Sequence, residues 1–420
     1  NVALGTSVLN AAGGTVLDAS TAVSVANQVN LAGNLGIGGS ADLGLSGLVT
    51  GTGRLTKNGN GALSLSGANT FQGGVVLNAG GLVVGSNTAL GIGTLTVAGV
   101  SVLDSSASAI LANQIALNSD LTIGGSNNLG LSGAITGSGK LTKEGAGNLL
   151  LGGTNSGFSG AISLNAGRIV VGNSSALGSG IVTAADGTAL DAASAVTLAN
   201  AIVANGALSL GGTGNLSLTG AITNGQSTGS LVKTGNATLS LSGVNTYTGG
   251  TTLNAGTLNI GSATAISTGD LTVGGAASLT TTGAQILANA VHLNAGLTLP
   301  GSANLTLNGV IDGVGGLTKA GTGTVTLNGA NTYSGGTLLS AGTLVAGSDT
   351  AFGSGTLTAG AGAALDANKA VSLANAVVLT GNVNVLGSSD LALTGDIAGA
   401  GGLTKTGSAK LTLSGNNTFA

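Results

Sequence analysis

A short phrase returns five times along this 420-residue chain, and its spacing limits the fold more than any other feature. LSLSGANTFQGG at 63–74 becomes LSLSGVNTYTGG at 239–250 and VTLNGANTYSGG at 325–336. Looser copies are LLLGGTNSGFSG at 149–160 and LTLSGNNTFA at 411–420. The aromatic residue of the phrase falls at Phe71, Phe158, Tyr247, Tyr333 and Phe419. Two further markers keep the same phase. The tripeptide L-[TV]-K places Lys57, Lys143, Lys233, Lys319 and Lys405 at spacings of 86, 90, 86 and 86 residues. The tripeptide [VL]-A-N ends at Asn27, Asn113, Asn200, Asn289 and Asn375. A period of about 86 residues marks a repeat architecture, in which each unit buries its apolar face only against its neighbours.

A shorter echo lies inside this period. LGLSG at 43–47 returns as LSLSG at 63–67, and LTLNG at 305–309 as VTLNG at 325–329. Runs such as TLSLS and GTLTVAG alternate apolar with small polar residues, which is the strand period of two. Glycine and asparagine interrupt them every few residues and supply turns. ASAILANQIAL at 107–117 looks most helical, yet it recurs at a strand-like position of every period and is read as strand. Units of about 20–22 residues, four to fill one period and each holding short strands, bury their apolar side chains when coiled one on the next. The expected fold is all-β: a parallel β-helix, or solenoid, of about 20 coils, with four coils per superrepeat and one solenoid over 1–420. The echo predicts stacked pairs: Leu45 on Leu65, Leu131 on Leu151, Leu307 on Leu327 and Leu393 on Leu413. Leu218 and Leu241 should pair across a lengthened loop. Propeller blades need about 40–50 residues and do not fit.

Composition removes several classes of function. Glycine is 81 of the 420 residues without a period of three, and proline occurs once, so collagen is excluded. The chain has no cysteine and therefore no disulfide. No apolar run reaches the roughly 18–20 residues of a spanning helix. Ten scattered Lys and Arg in a chain of net charge −3 give no nucleic-acid footprint. No cofactor, metal or catalytic set is expected. His292 is the only histidine, and its counterparts are Ala116, Val203 and Val378; without a cysteine or a carboxylate cluster it makes no zinc site. GSGKLT at 137–142 lacks the hydroxyl residue that a phosphate loop requires after its lysine. The acids are scattered, and the only arginines are Arg54 and Arg168, which speaks against a polysaccharide lyase or hydrolase. The recurring residues therefore read as structural. Each aromatic ring is expected to fold over a Gly-Gly turn and seal a corner. The lysines are expected in solvated turns or covering nearby carbonyls. Asp18, Asp104, Asp191 and Asp366 are expected to form turns.

GLTKAGTGTVTLNGANTYSGGTLLSAGTLVAG at 316–347 and GSLVKTGNATLSLSGVNTYTGGTTLNAGTLNIG at 229–261 resemble the strand repeat of autotransporter passenger domains of Gram-negative bacteria. The resemblance implies a right-handed parallel β-helix, exported through the outer membrane and displayed on the cell surface or released. It implies a structural and adhesive stalk that supports adhesion, autoaggregation or biofilm formation. Partners would be other copies, side by side or end to end, and host or matrix surfaces. Contact with a membrane would be only through a barrel domain that this chain does not carry. The alternative is an extracellular filament that stacks end to end through open solenoid edges. The first residues contain no signal peptide, and the chain starts and stops inside a repeat, so a segment of a longer protein is expected.

Overall fold

The computed structural model describes residues 4–420; residues 1–3 of the expected solenoid lie outside them. The chain divides into two compact units, Asn1–Leu208 and Ser209–Ala420. Each is a parallel β-solenoid of about ten coils. The described residues form 53 short strands, most of three residues, and no helix.

The triplet is the working unit. In Leu43–Leu45 the two leucines are buried and Gly44 between them faces outward. Leu121–Ile123 and Leu305–Leu307 repeat the pattern with threonine outside. Three residues of alternating direction present two side chains to the core and one to solvent. Registers advance one coil at a time: Leu35–Ile37 pairs with Leu55–Lys57, which pairs with Val75–Leu77. The predicted stacks are present, with Leu45 on Leu65, Leu131 on Leu151, Leu307 on Leu327 and Leu393 on Leu413. Leu218 meets Leu241 across the longer loop. The helix-like segment forms the strands Ala109–Leu111 and Ile115–Leu117.

Each coil contributes to three columns of strands. In the first unit they begin with Leu9–Ala11, Thr15–Leu17 and Val23–Val25. The first column continues through Val29–Leu31 and Val49–Gly51, and there the phrase containing Phe71 interrupts it. Four coils after Asn69 the same column holds an ordinary strand, Asn148–Leu151. The next phrase, with Asn155 and Phe158, falls one column further on, above Ile135–Gly137. The second unit repeats this shift. The column of Asn245 continues as Gln285–Leu287, Leu305–Leu307 and Thr324–Leu327, and the phrase of Asn331 arrives in the column after it. A superrepeat is thus four coils of three strands plus a thirteenth strand position. Within each unit the interruption moves to a neighbouring face with every repeat.

Candidate functional site

Each interruption occupies two successive coils, which form no regular strand on that face and keep only part of the ladder, such as Thr70 N to Val49 O and Ile92 N to Phe71 O. Buried backbone groups must still be paired. An asparagine side chain replaces the missing strand. Asn69 accepts from Val49 N of the coil before at 2.8 Å and donates to Ala89 O of the coil after at 2.7 Å. Asn155, Asn245 and Asn331 do the same, accepting from Ile135, Ile222 and Ile311 and donating to Ala176, Ala265 and Ala351. All four are buried. The second coil holds a tight turn: Gly91 N donates to Thr88 O at 2.9 Å, and Gly91 has a left-handed φ of 63°. Ser267 holds the equivalent place at φ 54° and is the one positive-φ residue other than glycine among the described residues. The turn is closed from above by the [VL]-A-N asparagine. Asn113 donates to Gly91 O at 3.0 Å and to Gly93 O at 2.7 Å, and Asn200, Asn289 and Asn375 repeat the pair.

Between the two floors lies the aromatic ring. Phe71, Phe158, Tyr247 and Tyr333 are buried, and Phe419 is half-exposed. The turn one coil later covers the ring, and the glycine after the ring lies close as well: a Cβ at Gly160 would meet the ring of Phe158. A Cβ at Gly91 would collide with the carbonyl and ring of Phe71. Phe352, the sixth aromatic, is buried in such a turn, where the other copies have Leu90, Leu177 and Ile266. The two tyrosines have a polar partner: Tyr247 Oη lies 2.6 Å from Thr251 Oγ1, and Tyr333 Oη 2.6 Å from Thr337 Oγ1. Burial raises both phenol pKa values. The phenylalanine copies have Val75 and Ile162 at the threonine position. With their rings enclosed, these residues offer no stacking platform to a ligand.

Of the two places expected for the lysines, solvated turns or cover for nearby carbonyls, they take the second, and from inside the coils. Lys57, Lys143, Lys233 and Lys319 end strand triplets and point inward, fully buried; only Lys405 is half-exposed. Their ammonium groups cover backbone carbonyls. Lys143 Nζ donates to Glu144 O at 2.6 Å, Gly145 O at 2.7 Å and Ala166 O of the next coil at 3.4 Å. Lys319 donates to Gly321 O and Ala341 O, and Lys57 to Gly59 O and Ala79 O. Desolvation lowers the pKa of Lys57, Lys143 and Lys319. Between those lowered values and about 10.4 the unfolded chain binds more protons, so stability rises with pH. Lys143→Met is expected to lower the unfolding free energy at pH 7 by about 1–3 kcal/mol, because three carbonyls lose their donor. It should also flatten the rise that ends at about pH 10.4. Urea titrations at pH 7, 8 and 10 test both, and a Lys143→Met midpoint equal to wild type at pH 7 would contradict the cage.

Other charged groups are few, and Asp191 and Asp366 are themselves buried. Asp104, Asp191 and Asp366 lie in strands rather than turns; Asp366 accepts from Ser388 N at 2.9 Å and Ser388 Oγ at 2.6 Å, and Asp191 pairs with Arg168. Asp18 follows its strand and accepts from Ala19 N at 2.7 Å. His292, isolated in the linear sequence, stands beside Asp270 and Asp312 of the adjoining coils. Among the described residues no cluster of three or more acids or histidines could hold a metal ion. The remaining surface consists of outward rows, one residue per coil, such as Thr122, Thr142, the covered Ser163 and Thr183 in the first unit and Thr298, Thr318, Leu338 and Thr358 in the second. Two shallow clefts of about 530 and 440 Å³ run beside the latter row, share Gly296 and Thr318, and contain no charged side chain. A third, of about 540 Å³ in the first unit, is lined by Ile110, Leu150 and Val170 with asparagines at its rim.

Comparison with known proteins identifies the same module. The passenger-associated-transport-repeat family matches residues 55–84, 141–171, 231–260, 317–346 and 403–420. Each match runs from the lysine strand through the asparagine and the aromatic; the first four continue through the two strands that follow. The Adhesin BmaC autotransporter of Brucella suis biovar 1 (strain 1330) is 34% identical over 146 residues, which are 30% of this chain and 4% of that protein. No solved structure matches the chain. The chain thus carries five passenger-associated-transport repeats at the period of its buried seals, which with the adhesin relative support an autotransporter passenger domain.

Proposed function

We propose that this chain is the structural and adhesive stalk of a bacterial protein displayed on the cell surface or secreted, working through self-association and contact with host or matrix surfaces rather than through turnover. The observation that carries this reading is the division of labour between core and faces. The recurring chemistry, lysine, asparagine and aromatic, is spent inside the coils, and the outward rows present Ser, Thr and small apolar groups. Such faces come together without charge repulsion, and each coil adds one more contact at a spacing of about 4.8 Å. The adhesin relative supports the same reading.

The test is a settling and surface-binding assay with cells carrying the full-length protein. Thr298→Asp, Thr318→Asp and Thr358→Asp together place three charges on one row, at positions where the side chain points away from the core. Loss of cell–cell clumping with unchanged circular dichroism and melting is the expected result. Clumping that persists, or cells that never clump or adhere to matrix proteins, would overturn the proposal.

A further inference from the structure

The chain's single histidine is held in an arrangement that only one of its protonation states satisfies. His292 is the outward residue of Val291–Leu293, in register with Thr272 of the coil before and Asp312 of the coil after. Its Nδ1 lies 2.7 Å from Asp312 Oδ1, and its Nε2 lies 3.2 Å from Asp270 Oδ2. A neutral imidazole carries one N–H, so one ring nitrogen would turn a lone pair toward a carboxylate oxygen. The imidazolium donates to both. The carboxylates stand on opposite sides of the ring and do not converge on a common point. The group is therefore a bridge and not a chelate.

We propose that Asp270, His292 and Asp312 form a pH-operated tie across three consecutive coils of the second unit, closed when the imidazole is protonated and released when it is neutral. The charged groups facing His292 are Asp312 from the strand after it and Asp270 from the corner before it; Thr272, its neighbour in the row, is uncharged. Hydrogen bonds to Asp312 and Asp270 and the charges of both raise its pKa against a smaller desolvation effect. The sign follows. A pKa raised on folding contributes stability that is complete below the ordinary value of about 6.5 and is lost as pH rises through the folded value. In mild acid the three coils are tied and the patch has one net negative charge. At higher pH one carboxylate loses its partner and the patch carries two. Local order and surface charge on this otherwise nearly neutral face thus both follow external pH.

With one histidine in the chain, its imidazole proton resonance can be followed through a pH titration without assignment. Amide exchange over Leu271–Val273, Val291–Leu293 and Ile311–Gly313, corrected for intrinsic rates, reads the tie itself. The expected titration lies above 6.5 and falls toward it in the Asp270→Asn, Asp312→Asn double variant. Each pH unit by which it lies above 6.5 corresponds to about a tenfold fall in protection once the ring is neutral. His292→Val places at this position the residue found at the equivalent Val203 and Val378, so its coils fold, and its protection should not fall between pH 5 and 9. A histidine titrating at or below 6.5, or an equal pH response in His292→Val, would overturn the tie.

Discussion

Tyr247→Ala is expected to lower the unfolding free energy of its coils by about 3–5 kcal/mol, the cost of emptying a fully packed aromatic site. The ring is completely buried between the floor set by Asn245 and the turn at 262–267, so the coils cannot close over the gap without losing the bonds on either side. The hydroxyl adds a finer test. Tyr247→Phe leaves Thr251 Oγ1 buried without its partner and should cost about 1–2 kcal/mol. Tyr247→Phe combined with Thr251→Val should recover most of that loss, because Phe71 with Val75 and Phe158 with Ile162 already use this pairing. Urea melts of the three variants decide the matter. In a repeat array the change belongs to the transition of the affected coils. A Tyr247→Ala protein that melts like wild type, or a double variant no better than Tyr247→Phe, would contradict the role assigned to the ring.

Asn245→Leu should have a comparable effect, a loss of about 2–5 kcal/mol, because it orphans two buried backbone groups, Ile222 N–H and Ala265 C=O. Asn245→Asp separates those two bonds. The carboxylate still accepts from Ile222 N–H but faces the Ala265 carbonyl with another acceptor. Burial and that repulsion raise its pKa, so the protonated acid, which can donate, is favoured. The variant should therefore be least stable at pH 7 and should recover part of its loss relative to wild type as pH falls toward 4. Stability curves of wild type and Asn245→Asp over that range test the sign. A difference that stays constant or widens in acid would show that the side chain does not bridge the coils.

Coil length and core were legible because the short echo, in a sequence of alternating pattern, leaves one way to stack Leu43 and Leu45 on Leu63 and Leu65. The carbonyl cover by the lysines was read from the sequence but their burial was not, for a general reason and contrary to a local signal. Lysine is rarely buried, yet in L-T-K the alternation that sends Leu55 inward and Thr56 outward sends Lys57 inward too. The asparagine bridge was harder to foresee, since its partners lie a full coil away on both sides. Two signals still mark it. Asn69, Asn155, Asn245 and Asn331 each stand at the same distance after the buried lysine, and the pairing of Tyr with Thr and of Phe with Val or Ile one turn further on records a packed hydroxyl. The shift of the seals from face to face follows from arithmetic, because the long period is not a whole multiple of the coil. His292 looked isolated because its carboxylates come from neighbouring coils.

The central claim is that coils of about 20 residues, at the short end of the solenoid range, carry seals that advance one strand position per superrepeat. A superrepeat of four whole coils would instead need about 21 or 22 residues per coil, and a slip of one residue turns an outward side chain inward. The chain has no cysteine of its own, so pairs can be introduced singly. Thr122 and Thr142 are outward partners in adjacent coils of the first unit, as are Thr298 and Thr318 in the second. At the strand spacing of about 4.8 Å their Cα atoms lie within disulfide range. Oxidation of the Thr122→Cys, Thr142→Cys and Thr298→Cys, Thr318→Cys proteins should crosslink both pairs nearly completely and leave Thr122→Cys, Glu144→Cys as free thiols. Crosslinking of the 122–144 pair in preference to 122–142 would mean longer coils, and neither the register nor the travelling seals would stand.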